Sequence, residues 1–118
     1  MDTKELLQDI FATYKKFGWK LHRILMRPET RASLDFAEVE GLPIETSRID
    51  ALWFNRPSLG GRQAWELRLL AETQYALFET FAPDEPEDEQ KEMRREMEQK
   101  LYEMFFARPR GNGAQVKS

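Results

Sequence analysis

Apolar residues in the first part of the chain, Leu6, Leu7, Ile10, Phe11, Tyr14 and Phe17, recur at three- and four-residue spacing. That is one stripe of an amphipathic helix. Asp2 and Glu5 suit a capping box, Lys15 and Lys16 suit the last turn, and Gly18 stands where a left-handed residue closes a helix. The pattern then changes period. In the segment from Trp19 to Met26, Trp19, Leu21 and Leu25 alternate with His22, Ile24 and Met26, and Gly18 and Pro28 bound it, which predicts a strand. Pro28 to Leu34 suits a short helical turn, and Asp35 to Ser47 carries no assignable pattern.

Arg48 to Arg56 and Gln63 to Leu70 are rich in aromatic and branched residues and flank a loop, Pro57 to Arg62, that contains Gly60 and Gly61. This predicts a hairpin. With Pro57 opposite Arg62, Phe54 faces Trp65 and Leu52 faces Leu67; a further strand, Tyr75 to Phe81, then brings Phe78 near Leu67 on the same face. Pro83 and Pro86 end the sheet. Acidic residues open a last helix, whose stripe is Met93, Met97, Leu101, Met104 and Phe105. The expectation is an α+β domain over residues 1–107, an antiparallel meander of three to four strands with an N-terminal and a C-terminal helix packed on it. Residues 108–118 are expected to form a disordered tail.

The chain has 118 residues, a size at which one core can form without covalent staples. It has no cysteine, which excludes disulfides, thiolate nucleophiles and zinc–thiolate sites within it. With no signal-like start and no long apolar run, a cytoplasmic location is expected. The net charge of −3 conceals a basic segment from Lys15 to Arg31 and an acidic stretch from Asp84 to Glu89. These are read as elements that attract each other in the fold, with a nucleic-acid face through Lys15–Arg31 as a lesser alternative.

Candidate chemistry is sparse. His22 is the sole histidine, with no orienting carboxylate evident in the sequence, and is read as structural. Gly60-Gly61 lacks the lysine and the helix of a phosphate loop, and the acidic run lacks the spacing of a calcium loop. No metal or cofactor is expected. Glu66 and Glu79 with Arg68 between them read as an ion-pair ladder, whereas Asp50 points at an apolar face and needs a partner.

Ile49, Trp53, Leu70, Tyr75 and Leu77 share the second face of the sheet, so an apolar surface remains if both helices pack on the first. The leading expectation is a non-enzymatic protein–protein interaction module, chaperone- or adaptor-like and homodimeric through those five residues. The architecture is similar to that of small acidic bacterial chaperone-like domains, an analogy of shape alone. The alternative is a small-molecule-binding domain or minor enzyme with a polar pocket around Asp50, Glu66, Arg68 and Glu79.

Overall fold

The computed structural model describes residues 2–107, so the tail expected over 108–118 lies outside the described residues. Helix α1 (Thr3–Lys16) starts at a capping box in which Asp2 accepts from the Glu5 N–H and Glu5 accepts from the Asp2 N–H. Gly18, at φ 86°, turns the chain out of it. Strand β1 (Lys20–Met26) and a single turn, α2 (Pro28–Arg31), follow.

The segment without an assignable pattern is a hairpin. Strands β2 (Glu38–Val39) and β3 (Leu42–Thr46) are joined by Glu40 and Gly41, both at positive φ, the geometry whose twist matches paired strands. Strands β4 (Ala51–Pro57), β5 (Gln63–Leu69) and β6 (Ala76–Phe81) form the expected meander, and α3 (Glu87–Phe105) closes the fold.

The class is α+β, as expected, but the sheet is larger than expected. It has six strands in the order β2-β3-β1-β4-β5-β6, and it is mixed, because β3 runs parallel to β1 while every other neighbouring pair is antiparallel. No helix among the described residues is long and apolar enough to cross a membrane.

The register also differs from the expected one, by a single residue at both hairpins. Pro57 pairs with Gln63, so Trp53 pairs with Leu67 and Phe54 with Glu66; Leu77, not Phe78, pairs with Leu67. The cause is the loop, where a tight turn at Leu59–Gly61 and a Ser58 N–H to Arg62 C=O bond absorb one more residue. A one-residue slip moves side chains to the opposite face.

Each face of the sheet is consequently covered by its own helix. Leu7 and Ile10 of α1 pack with Leu21, Ile24, Met26, Leu52, Phe54 and Leu70. On the other face, Met97 and Leu101 of α3 pack with Leu25, Ile49, Trp53, Trp65, Leu67 and Phe81.

Candidate functional site

The five residues expected to form an open face do not form one. Ile49 and Trp53 are buried beneath α3, with Tyr75 and Leu77 half-buried at the edge of the same cluster, while Leu70 is buried in the cluster on the α1 side. The surface on which the homodimer expectation rested is core, because the shifted register places Trp53 and Trp65 on one face and α3 covers both.

The four residues of the expected polar pocket part company. Asp50, 5% exposed, is saturated: its carboxylate accepts from the Arg27 N–H at 2.8 Å, Arg27 Nε at 3.1 Å and Nη2 at 2.9 Å, and the Thr30 hydroxyl at 2.7 Å. It is a structural knot tying the β1–α2 corner to the start of β4. Glu79 pairs with Trp65 in the ladder and so lies on the opposite face from Arg68 and Glu66, which ends the carboxylate–arginine–carboxylate ladder.

Glu66 and Arg68 do come together, on the α1 face. The Tyr14 hydroxyl donates to Glu66, and burial, followed by that carboxylate, pushes the Tyr14 pKa well above its usual value. Arg68 is nine-tenths buried. Its Nη1 donates to the carbonyls of Leu69 at 2.6 Å, Thr73 at 3.0 Å and Ala71 at 3.4 Å, and no carboxylate lies within ion-pair distance of it among the described residues. It lines a cleft of about 270 Å³ between α1 and the β5–β6 connection, with Asp9, Thr13, Tyr14, Gln74 and Tyr75.

A second cleft, of about 380 Å³, lies between β1 and α3. Its sheet side owes its residues to a bulge: the β1–β4 register shifts between Leu21 and Arg23. His22 and Arg23 both reach the α3 side. The His22 ring lies edge-on to Trp65 at 4.7 Å, and Arg23 binds Glu45 at 2.8 Å and reaches Glu98 at 3.5 Å. From the helix come Lys91, Arg94, Arg95 and Glu98, a stripe one notch round from the buried Met97 and Leu101.

Loss of water at the Trp65 contact, then the charges of Arg94 and Arg23, lower the His22 pKa. Hydrogen bonding to Arg23 holds Glu45 below the ordinary carboxylate value. Sequence reasoning missed this site because the bulge is invisible in the alternation of β1, although the spacing of Lys91, Arg94, Arg95 and Glu98 is readable.

The basic segment forms no continuous surface. Lys15 lies over Phe11, Arg23 binds Glu45 and Glu98, Arg27 binds Asp50 and stacks on Phe106, and Arg31 reaches the Leu34 carbonyl. Among those pairings only Arg23–Glu98 joins it to α3. No family model matches the chain, and neither a curated protein nor a solved structure matches it significantly.

Proposed function

We propose that the protein is a non-enzymatic binding domain that holds a small carboxylate-bearing molecule in the cleft between α1 and the β5–β6 connection. The observation that carries this reading is Arg68. Burying a guanidinium is costly unless its charge is met by an opposite one, and here three neutral carbonyls share a single nitrogen while the side chain lines an open cleft. A ligand carboxylate would give that guanidinium the direct two-point ion pair that no described carboxylate makes with it. Asp9 at the rim favours a ligand that also carries a cationic group, as an α-amino acid does.

A binding role suits the groups better than a catalytic one. Tyr14 holds its proton more tightly than usual, so it is not poised to exchange that proton near neutrality. The test is calorimetry and NMR with α-amino acids, together with the amines that lack the carboxylate. At least one amino acid is expected to bind and to shift the resonances of Thr13, Gln74 and Arg68, its amine to fail, and Arg68→Gln to abolish binding. If Arg68→Gln is unstable, Arg68→Lys keeps the charge without the fork and should bind weakly. Shifts confined to other residues, or full affinity in the folded Arg68→Lys variant, would reject the reading.

A further inference from the structure

The cleft between β1 and α3 is on the opposite face of the sheet from Arg68, and its composition runs against that of the whole protein. The chain carries a net charge of −3, yet this wall combines Arg23, Lys91, Arg94, Arg95 and the imidazole of His22 with a single carboxylate, Glu98. Glu98 is already engaged, accepting from Trp53 Nε1 at 2.7 Å and facing Arg23. The remaining carboxylates that touch these cations stand outside the wall. Glu45 holds Arg23 by two contacts, at 2.8 and 3.1 Å, Glu87 reaches the largely buried Arg94, and Glu92 pairs with Arg95 where both side chains are more than half exposed, which makes that last pair a weak one. Arg95 can exchange that carboxylate for ligand oxygens at little cost. Lys91 has no partner among the described residues.

A charged helix stripe is ordinarily a solvated face, and three features separate this one from that case. It is concave. Arg94 is fixed, since its guanidinium lies 4.2 Å over the Trp65 ring and only 14% of its side chain is exposed, so little rotamer freedom remains to be lost on binding. Finally, the enclosed side-chain donors that lack an acceptor among the described residues are Trp65 Nε1 and Arg94 Nη1, and both belong to this one cluster. Enclosed donors are nearly always satisfied in folded proteins, and Arg94, which carries one of these two, lines the cleft, so its wall has hydrogen-bonding capacity that the described residues do not use.

We propose that this cleft is a binding site for a phosphoryl group, either free phosphate or the phosphate of a small monoester. Cations approach from two directions, Arg23 from the sheet and Lys91, Arg94 and Arg95 from the helix. A planar carboxylate can meet such groups only in its own plane, whereas a tetrahedral dianion offers oxygens to both walls. His22, depleted of positive charge by its neighbours, adds a neutral ring that can donate or accept. The site is independent of the Arg68 cleft, and either can fail without the other.

The test is NMR and calorimetric titration of the whole chain with inorganic phosphate, phenyl phosphate and acetate. Phosphate or its ester should bind saturably and shift the Trp65 indole N–H, His22 and Arg94 resonances, and acetate should not. Equal affinity for the two identifies free phosphate as the ligand chemistry, and tighter binding of the ester identifies a phosphorylated molecule. Lys91→Glu, at an exposed and partnerless position, should keep the wild-type melting temperature and weaken binding by about tenfold or more. Arg94→Gln should abolish binding, while Arg68→Gln leaves it unchanged. The proposal is overturned if no saturation is reached by about 10 mM, if Lys91→Glu binds like the wild type, or if a single-stranded oligonucleotide binds far more tightly than the ester and in proportion to its length.

Discussion

Single residues were legible in the sequence where their need was local. The capping box of Asp2 and Glu5 and the closing Gly18 are contacts within a few positions, and each stands where the sequence places it. Asp50 shows the other case: a carboxylate among apolar residues announces that a partner exists, but not that Arg27 and Thr30 supply it, because the pairing spans a corner and a strand. Removing its charge leaves a guanidinium and a hydroxyl without their acceptor. Asp50→Ala is therefore expected to lower the unfolding free energy by ~3 kcal/mol. In urea denaturation, adding Arg27→Ala to that variant should cost much less than Arg27→Ala costs alone. Independent, additive losses would mean that the knot is not the source of the stability.

At the level of elements, periodicity found α1 and α3, because each buries one stripe, and aromatic and branched runs bounded by turn residues found the strands of the meander, whose central members are buried on both faces. Neither could find the register. Phe54 opposite Trp65 and Phe54 opposite Glu66 differ by one residue in the loop, and the first makes the more attractive apolar pair. The sequence pattern therefore favours the wrong alignment, and the tight turn at Leu59–Gly61 decides it. The same slip turned the covered Trp53 into an expected surface residue and hid the cluster it shares with Trp65.

The β2–β3 hairpin escaped for a related reason. Its turn places Glu40 at φ 51°, where Asn or Gly would have signalled the bend, and such a conformation costs a residue with a Cβ roughly 1–2 kcal/mol. Glu40→Asn, which tolerates that conformation, should raise stability by about 0.5–1 kcal/mol. A lower melting temperature for this variant would show that the Glu40 side chain contributes something to the hairpin beyond its backbone angle.

Across the whole molecule, the two helices and the sheet leave a polar cleft on each face, and charge is distributed by pairing rather than by region. Composition predicted mutual attraction of the basic and acidic thirds, whereas Arg23 and Arg27 find their closest carboxylates, Glu45 and Asp50, in the middle of the chain. This distribution has a consequence for pH. His22 faces Arg23 and Glu45 from the strands, and Lys91, Arg94, Arg95, Glu98 and Glu87 from α3; loss of water on burial first, then the charges of Arg94 and Arg23, lower its pKa below the ordinary 6.5. Between that ordinary value and the lower folded one, the unfolded chain binds more protons, so stability rises with pH. The contribution is complete above 6.5 and is lost as pH falls through the window. Glu45, held down by Arg23, adds a separate loss of the same sign that begins below the ordinary carboxylate value of 4.5. Melting temperatures recorded from neutral to mildly acidic pH should fall in two stages, and His22→Gln should remove the upper stage alone. If the upper stage persists in that variant, a group other than His22 titrates there. Phosphate gives the complementary reading, since an anion seated among those cations cancels their field at the imidazole. Saturating phosphate should raise the His22 pKa in an NMR titration and shift the upper stage accordingly.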